Sequence, residues 1–179
     1  MAGTYKMTIA GLERELPICP ISDNLDIAAF VMFSDVEITV AAAAELLKKI
    51  PDFDVIVTAE SKGIPLAYEL SRQSGRPYVV ARKSVKLYMN DPIKVEVKSI
   101  TTADKQTLYL SSEKAEMLKN KRVLIADDVI STGESLKAIE KIVEAAGGNI
   151  VCEAAVLAEG DAADRTDIVF LEKLPLFFK

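Results

Sequence analysis

The 179-residue sequence contains no histidine at all, which removes imidazole as a general base, as the partner of a nucleophile and as a metal ligand. It has two cysteines, Cys19 and Cys152, far apart and each in an apolar setting. That usage predicts reduced packing residues in a cytoplasmic protein and argues against a disulfide framework. No apolar run approaches the roughly 20 residues of a membrane span, and the N-terminal MAGTYKMTIAG lacks the apolar core of a secretory signal. Nor is there a block of basic residues: 22 Lys and Arg stand against 27 Asp and Glu, a net charge of −5, which leaves no footprint for nucleic acid. Internal repeats, linkers and low-complexity segments are absent too. What remains, 50% hydrophobic residues interspersed with both charge signs, is the composition of one well-buried globular domain. An anionic ligand would have to be held locally, by a few residues.

The most informative stretch is VLIADDVISTGES, Val123 to Ser135. Val123, Leu124, Ile125 and Ala126 form a short apolar run ending on Asp127 and Asp128, the pattern of a buried strand that emerges at a sheet edge. Val129 and Ile130 follow, then Ser131, Thr132, Gly133, Glu134 and Ser135, a small polar loop running into the helical pattern Leu136, Ile139, Ile142, Val143. Free amides at a helix start, joined by the hydroxyls, make a cradle for phosphate, and Gly133 allows close backbone approach. Two acids beside that cradle would repel a bare phosphate. A ribose 5-phosphate resolves the conflict, with phosphate in the loop and 2- and 3-hydroxyls, with or without Mg²⁺, on Asp127 and Asp128. A solvated turn with a Ser/Thr-capped helix is the bland alternative for an isolated acid pair.

The α/β rhythm surrounds this stretch. An alanine-rich helical stripe runs from about Thr39 to Ile50; Asp54 to Ala59 is a β-branched strand. A helix follows to Gly75, then a strand from Pro77 to Arg82. Arg122 to Asp127, a helix to about Ala146, and Ile150 to Leu157 repeat the unit, and a late strand covers Asp167 to Phe170. Consecutive strand-helix-strand units predict a doubly wound parallel sheet, with ligands gathering beyond the carboxyl ends of its strands. Residues 1–37 read as short strands and loops, with Phe30 to Phe33 as core or as a lid over a flat ligand. Between Lys83 and Leu108 a long polar excursion interrupts the rhythm, and Val95, Val97, Leu108 and Leu110 suit a hairpin within it. The apolar tail LPLFF is expected to dock on the body or on a partner.

Two more clusters fall at the same sheet edge. Glu60, Ser61, Lys62 and Gly63 follow the strand that ends at Ala59 and would aim amides, a hydroxyl and an ammonium at one point, although such a sequence is also a common turn and cap. Arg82 and Lys83 end the next strand, and their cations would meet the same anion unless they are simply solvated.

Taken together, hydrophobics, two acids, two hydrophobics and a Ser-Thr-Gly loop resemble the 5-phosphoribosyl-1-pyrophosphate (PRPP) signature of type I phosphoribosyltransferases. The Glu60 loop and the Arg82-Lys83 pair resemble the pyrophosphate loop and basic pair of the purine enzymes among them. The resemblance implies one domain over residues 1–179, with a small hood at 1–37 and a flexible hairpin lid at 84–107. It further implies a homodimer, Mg²⁺, and transfer of phosphoribose from PRPP to a purine base in salvage. Asp127 and Asp128 would be catalytic and lie near the metal; residues 131–135 would hold the 5-phosphate, and residues 60–63, 82 and 83 the pyrophosphate. Val129, Ile130 and Glu159 would face the base; the other reading of Glu159 is that it simply ends a strand. For the base, adenine stands first, with xanthine or hypoxanthine as the alternative. The marks are divided: Glu15-Leu16-Pro17 departs from the adenine pattern, Gly160 after Glu159 departs from the xanthine one, VEVKSITT looks xanthine-like, and LPLF looks adenine-like. A non-catalytic PRPP-binding regulator is the reading from another class.

Overall fold

The computed structural model describes residues 3–98 and 105–179; the tip of the expected lid, residues 99–104, lies outside the described residues. The chain opens with a hairpin of β1 (Thr4–Ile9) and β2 (Leu12–Ser22). Its two turn residues, Ala10 and Gly11, sit at φ 49° and 81°, the left-handed backbone that lets a two-residue turn follow the twist of both strands. β3 (Leu25–Ala28) pairs antiparallel with β2. Helix α1 (Val36–Leu47) begins three residues before the sequence pattern suggested, because the Asp35 carboxylate accepts from the Ile38 amide at 3.1 Å and caps it there.

The two crossover units follow. β4 (Val55–Ala59), α2 (Ile64–Ser74) and β5 (Tyr78–Ala81) form the first. A ladder of β6 (Ile93–Lys98) and β7 (Lys105–Leu110) is next, then the short helix α3 (Ser112–Leu118). β8 (Arg122–Ile130), α4 (Glu134–Ala145) and β9 (Asn149–Glu159) form the second unit. A 3₁₀ turn (Gly160–Asp164), β10 (Val169–Leu174) and β11 (Leu176–Phe178) end the chain.

β10, β9, β8, β4 and β5 lie in that order in one parallel sheet, which is the doubly wound α/β architecture expected. Along β8, Val123 and Ile125 pack toward α4 and the β6–β7 ladder, whereas Leu124 and Ala126 pack toward α1 and α2. Period-2 alternation therefore divides the core between two faces, both covered by helices. The apolar tail becomes β11 and closes the N-terminal sheet, order β1-β2-β3-β11, by pairing with β3. Phe30 and Met32 are buried while Val31 and Phe33 stay exposed, so this stretch serves mainly as core. The expected hairpin exists, with Val95 opposite Leu108; Val97, Leu108 and Leu110 are buried against α4.

Candidate active site

β8 does not stop at Asp127. It continues to Ile130, because β9 is long enough to pair with it through Val129↔Leu157 and Ile130↔Ala158. The acid pair thus stands inside a strand, with Asp127 and Asp128 on opposite faces of it. Asp128 is 2% exposed, a burial that a carboxylate tolerates only with partners. Lys62 supplies one, Nζ to Oδ2 at 2.9 Å. The contact is within ion-pair distance yet is not aligned as a hydrogen bond, so Asp128 Oδ2 keeps an unfilled acceptor direction. Asp127 accepts from the Asp128 amide at 2.9 Å. Burial, and next the Asp128 charge, push the Asp127 carboxyl up to about 7.

Both acids line a cavity of about 220 Å³ together with Ala59, Glu60, Ser61, Lys62 and Lys83 on one side and residues 129–133, Ser135 and Leu136 on the other. Gly133 caps α4 in the left-handed region at φ +76°, with no side-chain cap hydrogen bond. Ser131 Oγ accepts from the Thr132 amide at 2.7 Å and tightens the loop. The result is an anion cradle at the head of a 12-residue helix.

Gly63 does not line the cavity, but its lack of a side chain makes the cavity possible. A Cβ there would lie 2.4 Å from Thr58 Oγ1 and 2.7 Å from Asp127 Oδ1, so only glycine lets this loop come so close to the acid pair. Glu60 acts as a tie: its carboxylate meets Arg82 Nη2 at 3.0 Å and accepts from the Lys83 amide at 3.0 Å. Arg82 is thereby turned toward a neighbouring cavity, beside Tyr78, Tyr88 and Asn90, whereas Lys83 faces the acids' cavity. Glu134 opens α4 behind the loop. Glu159 ends β9 outside the cavity lining; burial raises its carboxyl, with Lys62 pulling the other way.

Sequence reasoning missed Gln106. Its side chain lines the cavity and donates to Ser135 Oγ at 3.1 Å, tying the β6–β7 ladder to the start of α4. The signal was there in the hairpin's alternation, which puts residue 106 on the same face as Leu108.

Among the described residues no cluster of three or more His, Cys, Asp or Glu could hold a metal by itself. The donor set available, two adjacent carboxylates with one buried oxygen still open, suits a hard cation that arrives already held by a ligand's oxygens.

Residues 33–173 match the model of the phosphoribosyl transferase domain. A hypoxanthine/guanine phosphoribosyltransferase of Methanocella arvoryzae is 35% identical over 144 residues, 80% of this chain and 69% of the relative. One from Methanococcus voltae is 36% identical over 149 residues, 83% of this chain and 73% of the relative. Among solved structures, an adenine phosphoribosyltransferase of Thermoanaerobacter pseudethanolicus superposes with TM-score 0.66 at 22% identity, over 95% of both chains. A Trypanosoma brucei adenine enzyme, solved with AMP, pyrophosphate and ribose-5-phosphate, gives 0.60 at 18% identity over 76% of this chain and 65% of that one.

Proposed function

The chain belongs to the type I phosphoribosyltransferase family, and from that premise we propose that it transfers the 5-phosphoribosyl group of PRPP to a purine base and releases pyrophosphate. One observation carries the assignment: a single cavity has an acid pair in its wall, Asp128 buried and Asp127 half-buried, an amide-and-hydroxyl cradle at one end and two lysines at the other. Phosphate at the Ser131–Ser135 end, ribose hydroxyls on Asp127 and Asp128, and pyrophosphate at Lys62 and Lys83 would use every charged side chain in it except Glu60, which is engaged with Arg82 and the Lys83 amide.

Each group then has a role that needs no histidine. The C1–oxygen bond to pyrophosphate breaks, its electron pair leaving with the pyrophosphate, as a base nitrogen bonds to C1 and gives up its proton to the departing pyrophosphate; the sugar ring passes through a cation-like state. Asp127 and Asp128 hold the two hydroxyls and place negative charge beneath that ring. Lys62 leaves Asp128 for the departing pyrophosphate, so the ligand's hydroxyls inherit an acceptor already buried. The phosphate cradle anchors the far end and fixes C1 in line. Asp127 and Asp128 would be the residues to hold Mg²⁺, which would supply charge to offset the departing pyrophosphate. The β6–β7 ladder stands over the cavity through Gln106 and Leu108 and would exclude water, the competing nucleophile.

For the base, the relatives that share 35% and 36% of residues carry hypoxanthine/guanine names, while adenine enzymes at 18% and 22% identity share the fold alone. A 6-oxopurine therefore takes precedence over the adenine expected from sequence, which becomes the second reading. The test mixes protein, PRPP and Mg²⁺ with hypoxanthine, guanine, xanthine and adenine in turn and follows nucleotide formation. Hypoxanthine and guanine are expected to give product at least about tenfold faster than adenine, the discrimination available from one mismatched buried polar group. Adenine turning over fastest would reverse the order, and silence from all four would end the assignment.

A further inference from the structure

A phosphate at the Ser131–Ser135 end of the cavity would meet a site short of positive charge. The cavity's two lysines, Lys62 and Lys83, stand at the other end, and among the described residues no further Lys or Arg lines it. Glu134, the first residue of α4, adds a negative charge nearby. Amides and hydroxyls must then hold the anion, so every additional neutral donor within reach counts.

One such donor comes from outside the loop. Gln106 belongs to β7, where period-2 alternation puts it on the face that carries Leu108 and Leu110. Both leucines are buried in one core with Leu136 and Ile139 of α4, so the strand is seated on the helix, and Gln106, next on that face, reaches the cavity. Its Nε2 donates to Ser135 Oγ at 3.1 Å, its one side-chain hydrogen bond among the described residues. The amide nitrogen therefore keeps a second hydrogen to give, and Ser135 Oγ, accepting on one side, keeps its own O–H to donate.

We propose that Gln106 is a substrate-binding residue: its side-chain amide donates to the 5-phosphate beside Ser135 Oγ, so that the β6–β7 ladder takes hold of PRPP by its phosphate. The proposal rests on the phosphoribosyl reading of the cavity. Two donors 3.1 Å apart can serve one phosphate at ordinary hydrogen-bond lengths of about 2.7–3.2 Å. A rotation about the side chain's terminal bonds is enough to exchange the serine oxygen for one of the ligand's, while Leu108 and Leu110 stay seated on α4. A neutral amide also suits a cavity that contains two acids. It brings donors to the phosphate without adding a cation for those acids to capture in the empty protein, as Asp128 holds Lys62.

Calorimetric titration of the full chain with ribose 5-phosphate and, separately, with pyrophosphate and Mg²⁺ tests this. In Gln106→Ala the Kd for ribose 5-phosphate should rise about tenfold, the effect of losing a hydrogen bond to a charged group, while the Kd for pyrophosphate stays within about twofold. Gln106→Glu separates a phosphate contact from a mere strap between strand and helix. Its carboxylate can still accept from the Ser135 hydroxyl and keep the strap, but it opposes the phosphate, so ribose 5-phosphate should bind about tenfold more weakly again than to Gln106→Ala. Gln106 is exposed, which favours folding of both variants; should the alanine variant melt early, Gln106→Asn, one methylene shorter, takes its place with the same expected loss. Ribose 5-phosphate binding by Gln106→Glu as tight as by Gln106→Ala, equal losses for the two ligands, or an alanine variant that binds ribose 5-phosphate like wild type would each overturn the proposal. Wild-type protein that binds neither ligand overturns the functional reading of the cavity instead, and the role of Gln106 with it.

Discussion

The acid pair is the residue-scale fact on which the site turns, and Gly63 is the residue that lets it be used. Its missing side chain lets the loop after β4 fold back close to Thr58 Oγ1 of the same strand and to the Asp127 carboxylate of β8. Gly63→Ala is expected to cost about 1–3 kcal/mol in urea unfolding, the usual cost of overpacking a closed space, and to cut turnover as the loop backs away. Adding Thr58→Ala removes the nearer of the two contacts and should restore part of the stability. If Gly63→Ala unfolds at the wild-type urea concentration, the close approach is not a constraint. Asp127, Asp128 and the Ser-Thr-Gly loop were legible because their order is itself the chemistry, acids then amides. The role of Gly63 was half legible. Its place after Glu60-Ser61-Lys62 suggested a tight turn, yet the crowding that demands glycine involves Thr58 and Asp127, and no local pattern carries it.

At the scale of elements, the parallel sheet could be read almost strand by strand, because strands buried on both faces are written as apolar runs. Boundaries were harder to read. α1 starts earlier than its alanine stripe since Asp35 caps it, and β8 runs past its acids since β9 offers partners that far. The site's electrostatics follow from another junction that sequence did not disclose: Glu60, taken as a pyrophosphate ligand, ties β4's loop to the end of β5 through Arg82 and Lys83. Glu60→Gln keeps the size and loses the charge. Charge-assisted hydrogen bonds contribute about 1.5–3 kcal/mol, so KM for PRPP should rise roughly tenfold or more as Lys83 is released, with KM for the base little changed. Steady-state kinetics with each substrate varied would read this, and an unchanged KM for PRPP would return Glu60 to the role of a dispensable turn residue.

For the whole molecule, the absence of histidine makes pH dependence unusually clean. Burial, and next the neighbouring acid, push the carboxyls of Asp127 and Glu153 each up to about 7, and burial also raises Glu159. A raised carboxyl favours the protonated form in the folded state, so unfolding gains ground as pH rises from about 4 to about 7 and levels off beyond. The carboxylates held low, Asp54 by Arg122 and Asp35 by Arg14, act below that window and in the opposite sense. The ligand-free protein should therefore melt at a higher temperature at pH 5.5 than at pH 8, and Asp127→Asn should flatten the difference in part. PRPP with Mg²⁺ favours ionised acids, so the stabilisation it confers should grow over the same interval; a melting temperature flat from pH 5.5 to 8 would contradict the buried acid pair. Because β11 completes the sheet begun by β1, β2 and β3, a ribosome has threaded every strand of the parallel core before the first sheet can gain its final partner. Completion of that sheet therefore waits on the parallel core, and removing β11 would leave the β3 edge open.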